Sequence, residues 1–241
     1  MEKPRRSKRR PRTVALIPSA GKGVRMGSVP KIYLELLGKP LLAHTLLAFE
    51  KSAFVDSIIV VAPPGQTERC ARDIIRPLGL KKVLHVLDGG SVRQDSVAAA
   101  LSVAAKGFDI IAVHDGARPL VTEELIERVI KGAIRWGAAV PAVEMKDTVK
   151  EVSRSTVKRT VERDTLRGVQ TPQAFRTELL VEAFERAAED GFTGTDEAAL
   201  VERLGVKVRA VEGSYENIKI TTPEDMLVAE CILRNRPGAR G

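Results

Sequence analysis

Strand-like and helix-like segments alternate along the chain, and this order restricts the fold more than any other feature. The apolar runs rich in β-branched residues lie at 13–18, 57–62, 82–87, 109–113, 138–143 and 206–211. The segments with helical spacing lie at 40–51, 66–76, 92–105, 122–136, 176–190 and 222–235. Nearly continuous apolar runs indicate strands that are buried on both faces. The sequence therefore predicts an α/β fold with a doubly wound, mostly parallel, Rossmann-like sheet, in which ligands bind beyond the carboxyl ends of the strands.

Length and cysteine content narrow the class of protein. The 241 residues are enough for one large or two small domains, and they include only two cysteines, Cys70 and Cys231. Because these cysteines are far apart, we expect free thiols in a reducing compartment rather than a disulfide or zinc site. No apolar run is long enough to span a bilayer. The sequence thus predicts a cytoplasmic protein with no membrane partner.

The positive charge is concentrated at the amino terminus. The formal net charge is +8, and seven basic residues and one acidic residue lie within 1–12. The rest of the chain is therefore nearly neutral, and we expect no specific nucleic-acid partner, although a nonspecific contact of the tail with RNA or a membrane surface stays open. We predict a basic disordered tail at 1–12, a single domain at 13–235 and a second disordered tail at 236–241.

A glycine-rich stretch follows the first apolar run directly. Ala20, Gly21 and Gly23 lie in it, Arg25 lies among its glycines, and Lys31 follows shortly after. Glycines let backbone N–H groups approach a ligand, and neighbouring cations complete the set of groups that a triphosphate needs. The spacing fits neither the P-loop nor the dinucleotide-binding fingerprint. An ordinary strand-to-helix loop remains the alternative.

Two further polar clusters follow predicted strands. Ser91 and Gln94 have the spacing of a capping box after two glycines, which predicts a helix start and exposed backbone, with a plain capped helix as the alternative. Asp115 follows the run at 109–113 and is a candidate Mg²⁺ ligand, because Mg²⁺ often takes one protein carboxylate plus phosphate oxygens. Alternatively, Asp115 pairs with Arg118 and only holds the turn. We expect His114 to be structural.

The segment 144–170 alternates apolar and polar residues in two halves around 153–155, a pattern that predicts a projecting β-hairpin arm. A projecting ribbon has unpaired edges that a second copy of the chain would cover, so we predict a homodimer through this arm. Further along, 216–221 has the pattern of a short strand that would hold Lys219 rigidly. Such a lysine could bind a phosphate, or it could be an ordinary surface lysine.

Seven blocks, taken in order, resemble the 2-C-methyl-D-erythritol 4-phosphate cytidylyltransferase family over about 13–235. These blocks lie at 20–31, 89–97, 113–119, 146–150, 170–173, 195–198 and 212–221. Ser91 stands where some members carry aspartate, and the basic tail has no family counterpart. The resemblance implies that CTP and the sugar-alcohol phosphate are joined by direct attack on the α-phosphate, with Mg²⁺ or another divalent cation as cofactor.

The resemblance also implies a role for each matching residue. The implied catalytic residues are Arg25, Lys31 and Lys219. The implied CTP-binding residues are Ala20, Gly21, Gly23, Gly90, Ser91 and Ser96. The implied residues for the second substrate are Arg118, Thr148, Arg163, Thr171, Thr195 and Lys219, of which Thr148 and Arg163 would come from the partner's arm. Asp115 would hold the metal.

Three other functions stay open from the residues. A sugar-1-phosphate nucleotidyltransferase would use the same glycine-loop chemistry with a different second pocket. A nicotinamide-dependent oxidoreductase is disfavoured by the glycine spacing. A nucleic-acid-binding module would depend only on the tail at 1–12.

Overall fold

The structure is a computed structural model, and it describes residues 9–21 and 30–236. The strands are β1 (Thr13–Pro18), β2 (Glu35–Leu36), β3 (Lys39–Pro40), β4 (Ser57–Ala62), β5 (Val83–Asp88), β6 (Ile110–Val113), β7 (Ala138–Glu144), β8 (Lys150–Ser153), β9 (Thr156–Thr160), β10 (Arg167–Val169), β11 (Gln173–Arg176) and β12 (Arg209–Glu212). The helices are α1 (Leu41–Lys51), α2 (Thr67–Cys70), α3 (Arg76–Leu78), α4 (Arg93–Ala104), α5 (Glu123–Trp136), α6 (Thr177–Glu189), α7 (Glu197–Arg203) and α8 (Pro223–Asn235). A π-helical turn, Ala71–Ile75, joins α2 to α3.

The main sheet has eight strands, in the order β10-β7-β11-β6-β1-β4-β5, and β12 also pairs with β7. The strand β1 pairs in parallel with β4 and β6, and β4 pairs in parallel with β5. The strands β10 and β11 run antiparallel to their neighbours. The predicted doubly wound, mostly parallel α/β sheet is therefore confirmed.

Two apolar layers cover the sheet because its strands are apolar at successive positions. Ala15 and Ile17 of β1 pack in one cluster with residues of α1 and α5, whereas Val14 and Leu16 pack in a second cluster with residues of α4 and α6. All four side chains are fully buried. Burial on both faces is the pattern expected of a parallel strand between helices, and it places β1 at the centre of the core.

The sequence patterns miss β2, β3, β11 and α7, which are all short. They also place β10 in the predicted arm at 144–170, whereas it pairs with β7 in the main sheet. The predicted strand at 216–221 is wrong: 217–220 forms no ladder, although the Ile220 N–H donates to the Ala117 carbonyl at 2.8 Å. Isolated hydrogen bonds from backbone and side-chain groups, rather than a strand ladder, hold this segment. The Asn217 amide is buried and donates to the Thr171 carbonyl at 2.8 Å.

The predicted hairpin arm is present as β8 and β9, which pair with each other in a separate two-stranded sheet. Arg154 and Ser155 form its two-residue turn with φ of +46° and +64°, the left-handed backbone that tight hairpin turns use. Val152 and Val157 lie opposite each other, and each is 55% exposed. The arm therefore presents apolar side chains on a ribbon of marginal stability.

The end of the basic segment contacts the body of the protein. The Arg12 carbonyl accepts hydrogen bonds from the N–H groups of Asp109 and Ile110, at 2.8 and 3.0 Å, and Arg10 pairs with Asp56. Most of the predicted tail, residues 1–8, lies outside the described residues. Within the described part of the chain, no helix is both long and apolar enough to cross a membrane.

Candidate active site

A cavity of about 880 Å³ lies beyond the carboxyl ends of β1, β4, β5 and β6. Eight of the predicted site residues line it: Ala20, Gly21, Lys31, Gly90, Ser91, Ser96, Asp115 and Lys219. Gly23 and Arg25 lie outside the described residues. Three cations, Lys31, Arg93 and Lys219, face a single carboxylate among the described lining residues, so this wall carries a positive excess that suits a polyanion.

Close backbone packing explains the glycines after β5. A Cβ on Gly89 would lie 2.1 Å from the Ala20 Cβ, so only glycine lets the two loops meet. The Gly89 N–H donates to the Ala62 carbonyl at 2.8 Å, and the Ser96 hydroxyl accepts from the Gly90 N–H at 3.1 Å. Ser96 is 2% exposed, so it holds the loop after β5 in place from its buried side.

The start of α4 differs in detail from the capping box expected at Ser91 and Gln94. Because the helix begins at Arg93, the third helical residue is Asp95, whose carboxylate accepts from the Val92 N–H at 3.3 Å and the Ser91 hydroxyl at 2.5 Å. The Gln94 amide instead donates to the Phe192 carbonyl at 3.1 Å. The helix start was predicted within one residue, but the assignment of Gln94 as its capping partner is wrong.

Asp115 is the electrostatic centre of the cavity wall. Its Oδ1 accepts from Arg93 Nε at 3.0 Å, and its Oδ2 lies 2.8 Å from Lys219 Nζ and 3.8 Å from Arg118 Nε. Burial opposes ionisation, but the charges of Arg93 and Lys219 outweigh it and hold the pKa of the Asp115 carboxyl well below its usual range. Asp115 is therefore an anion, and Arg93 and Lys219 are its main partners.

Arg93 and Glu197 are the residues that the sequence reasoning missed. The Arg93 guanidinium binds Glu197 with both terminal nitrogens, at 2.6 and 3.0 Å, while its Nε binds Asp115. The Glu197 side chain is 2% exposed, and burial raises the pKa of its carboxyl although Arg93 opposes the shift. A glutamate at the first position of a helix is common, so the sequence carries no distinct signal for this role.

His114 and Thr171 form a buried hydrogen-bond chain behind Asp115. The Asp115 N–H donates to the Thr171 hydroxyl at 3.1 Å, and that hydroxyl lies 3.0 Å from His114 Nδ1. His114 Nε2 lies 3.1 Å from the Arg118 carbonyl, so it donates there while Nδ1 accepts from Thr171. These partners suit a neutral imidazole, in which Nε2 is the donor and Nδ1 the acceptor. Its pKa falls to about 4, chiefly because of burial, which agrees with the structural role expected for His114.

Acidification is expected to destabilise the fold through His114. Between its unfolded pKa of 6.5 and its folded pKa of about 4 the unfolded chain binds a proton that the folded chain does not, so stability falls as pH falls. The loss from this group is about 3 kcal/mol across that window. Urea unfolding at a series of pH values measures it, and His114→Gln should flatten the dependence. Equal slopes for both proteins would contradict this prediction.

Two lysines converge on the segment 217–220. Lys31 Nζ donates to the Ile220 carbonyl at 2.7 Å, and Lys219 lies in the segment itself. Arg118 fixes the same segment, because its guanidinium donates to the Asn217 carbonyl at 2.7 Å. The structure thus brings both predicted catalytic lysines to one wall, with Arg118 beneath them at 12% side-chain exposure.

Five of the predicted site residues that the structure describes are not part of the cavity lining: Arg118 and Thr171 lie behind it, and Thr148, Arg163 and Thr195 are exposed. Thr148 and Arg163 are exposed in the arm region, where Arg163 donates to the Lys146 carbonyl at 2.7 Å. Thr195 is exposed in the turn before α7, directly ahead of Asp196, which caps that helix. Their proposed contacts with the second substrate stay predictions.

The residues fit a divalent cation that has few protein ligands. Among the described residues, no group of three or more His, Cys, Asp or Glu side chains could hold a metal. Asp115 is the only acidic residue in the described part of the cavity lining. One ionised carboxylate on the wall of this cavity is enough for Mg²⁺, which keeps several waters and shares substrate phosphate oxygens. The ion would share the carboxylate with Arg93 and Lys219, which contact its two oxygens.

A doubly wound sheet with glycine loops, converging lysines and one carboxylate at its strand ends places the chain among the nucleotidyltransferases. Residues 13–235 match the family model described as IspD: 2-C-methyl-D-erythritol 4-phosphate cytidylyltransferase. The chain belongs to this family, and the resemblance drawn from the sequence blocks is confirmed.

Proteins that carry the family name are similar to this chain over nearly its whole length. One from Caldanaerobacter subterraneus subsp. tengcongensis is 46% identical over 91% of this chain and 98% of its own length. A crystal structure of the Thermus thermophilus protein superposes with a TM-score of 0.77 at 39% identity, covering 92% of this chain and 98% of that one. The Anaerococcus prevotii structure, a 4-diphosphocytidyl-2C-methyl-D-erythritolsynthase, gives 0.82 at 31% identity, covering 93% and 96%.

Proposed function

We infer that the chain catalyses the reaction for which its family is named. CTP and 2-C-methyl-D-erythritol 4-phosphate react to give 4-diphosphocytidyl-2-C-methyl-D-erythritol and pyrophosphate, in the non-mevalonate route to isoprenoid precursors. The observation that carries this inference is the cavity wall on which Lys31, Lys219 and the glycine loop after β5 meet. This wall offers fixed cations to a triphosphate within a chain that matches the family over residues 13–235.

The chemistry needs no covalent intermediate. A phosphate oxygen of methylerythritol phosphate attacks the α-phosphorus of CTP, forming one P–O bond as the bond to the departing pyrophosphate breaks. Charge builds up on the α-phosphate, so catalysis depends on aligning the two anions and supplying preorganised positive charge. Lys31 and Arg25 serve this role, and Gly90, Ser91 and Ser96 shape the pocket for the nucleoside.

We assign a divalent cation, Mg²⁺ or a similar ion, to Asp115. The ion would supply positive charge to the phosphate oxygens of CTP when bound. The residues of the chain prepare for it by keeping Asp115 ionised, since Arg93 and Lys219 hold its pKa low. A lysine ammonium has three N–H donors, so Lys219 can keep its contact with Asp115 Oδ2 at 2.8 Å and also donate to a substrate phosphate.

The second substrate is assigned to the side of the cavity where Lys219 lies, with Arg118 and Thr171 behind this wall. Thr195, which lies outside the described lining, is a further predicted contact. The contacts that support this assignment are those of Lys219, which is 42% exposed on the cavity wall while its ammonium is held 2.8 Å from Asp115. A cation in this position can bind a phosphate without losing much conformational freedom.

We further propose a homodimer in the cytoplasm, with the arm of one subunit contributing to the partner's site. Val152 and Val157 expose apolar surface on the arm, and Val169 beyond it is 44% exposed, which is the surface that a second copy would bury. Thr148 and Arg163 lie in the same region and are exposed, so they are available to reach a neighbouring cavity.

Pyrophosphate release tests the function directly. The purified chain, incubated with CTP, methylerythritol phosphate and Mg²⁺, should release pyrophosphate, with UTP and ATP giving far slower release. Sugar 1-phosphates in place of methylerythritol phosphate test the other nucleotidyltransferase reaction. Release with a sugar 1-phosphate but not with methylerythritol phosphate would overturn the proposed function.

A further inference from the structure

A line of alternating charges connects the buried amino-terminal end of α7 with the cavity. Glu197 binds Arg93 at 2.6 and 3.0 Å, Arg93 binds Asp115 Oδ1 at 3.0 Å, and Asp115 Oδ2 lies 2.8 Å from Lys219 Nζ. The Glu197 side chain at one end is 2% exposed, and the Lys219 side chain at the other end is 42% exposed. The line therefore starts at a fixed group and ends at a cation that faces the substrate.

Glu197 is held firmly at the start of this line. Asp196 caps α7 by accepting from the Ala199 N–H at 2.9 Å, and its other oxygen accepts from the Gln173 amide at 2.7 Å. The side-chain oxygen of Gln173, Oε1, in turn accepts from the Ala198 N–H at 3.0 Å. The first turn of α7 is thereby bound to β11, so the Glu197 carboxylate has a set position relative to the sheet.

The geometry of the Arg93 guanidinium determines which of its nitrogens contacts each carboxylate. Both terminal nitrogens of Arg93 are used by Glu197, so only Nε is directed at Asp115, and it occupies a single carboxylate oxygen. The other oxygen of Asp115 is left for Lys219. Without Glu197, Arg93 could turn both arms of its fork to Asp115 and compete with Lys219 for the same carboxylate.

We propose that Glu197 is a positioning residue that sets the place of the Lys219 ammonium at the cavity, acting through Arg93 and Asp115. This inference rests on the proposed function, because it assigns Lys219 to the phosphate of the second substrate. Glu197 itself contacts no substrate. Its removal should therefore weaken use of the second substrate much more than binding of CTP.

Glu197→Gln removes the charge and keeps the shape. We expect KM for methylerythritol phosphate to rise about 10- to 100-fold, the size of effect seen when a partner that orients a binding group is lost. The dissociation constant for CTP alone, from calorimetry, should change little. If the variant only had a smaller folded fraction, kcat would fall, whereas KM for methylerythritol phosphate and the dissociation constant for CTP would stay unchanged. A KM that stays at the wild-type value therefore overturns the proposal. Glu202→Gln, an exposed change on the same helix, is the matched control.

A double-mutant cycle tests the route of the effect. If Glu197 acts through Lys219, then Glu197→Gln should have little further effect on KM in a Lys219→Met background. Effects of the two changes that simply multiply would show that Glu197 does not act through Lys219, and would overturn the proposal. The wild-type protein must release pyrophosphate in the same assay, so failure of the proposed function is seen separately.

Arg93→Lys provides a second variant if Glu197→Gln does not fold. A lysine keeps the charge but cannot bind Glu197 with two nitrogens and Asp115 with a third. We expect the same selective rise in KM for methylerythritol phosphate. Wild-type KM in a folded Arg93→Lys protein would refute the positioning line.

Discussion

Replacing Lys31 with alanine is expected to lower kcat by about 10²- to 10³-fold, because a preorganised donor at a developing charge is lost. CTP binding should weaken much less. The position of Lys31 is set by its surroundings: it begins a 3-10 turn whose next residue, Ile32, is buried, and its ammonium donates to the Ile220 carbonyl at 2.7 Å. A lysine held in this way needs little reorganisation as the α-phosphate gains charge.

Steady-state kinetics of pyrophosphate release measure kcat for Lys31→Ala, and calorimetry with CTP measures binding. Lys39→Ala is the matched control, since Lys39 is exposed in β3 a short distance along the chain and lies outside the described cavity lining. The control should retain wild-type kinetics. Turnover near the wild-type rate in Lys31→Ala would remove this residue from the mechanism.

The sheet was predictable because its central strands are buried on both faces. In an apolar run such as 57–62, β-branched residues stand at successive positions, which is typical of a strand that is buried on both faces. The strand β4 indeed spans Ser57–Ala62. β11 was not predictable, because its four residues include a buried glutamine, Gln173, whose partners lie on α7. Short strands held by side-chain contacts lack the length on which a periodicity depends.

Cavity-lining residues could be predicted from the sequence where a short local pattern pointed to them. A carboxylate shortly after a buried strand singled out Asp115, and a lysine after a glycine loop singled out Lys31. Both residues line the cavity, and their roles stay predictions. Arg93 and Glu197 are 104 positions apart, and their pairing exists only after α4 and α7 meet. The error at 216–221 has the same origin, since the Asn217 side chain takes its partners from the distant segment 170–171 rather than from a neighbouring strand.

Mixing two inactive variants is expected to restore activity if the arm completes the partner's site. A heterodimer of Lys31→Ala and Arg163→Ala subunits has one site with both changes and one site with neither. Random pairing in a two-fold dimer would leave about a quarter of all sites intact, so activity should recover to about a quarter of the wild-type level. Arg163 suits this test because its side chain is exposed and binds only the Lys146 carbonyl in the described contacts.

The two variants, carrying different affinity tags, should be produced together and purified through both tags in turn, so that only heterodimers remain. These should reach about half of the wild-type rate per dimer, because one of the two sites is intact. Each variant purified alone supplies the baseline, and each should be nearly inactive. If the heterodimer is no more active than these parents, then Lys31 and Arg163 do not act in one shared site. Failure to obtain any doubly tagged dimer would instead contradict the proposed homodimer, whose exposed valines on the arm would then need another explanation.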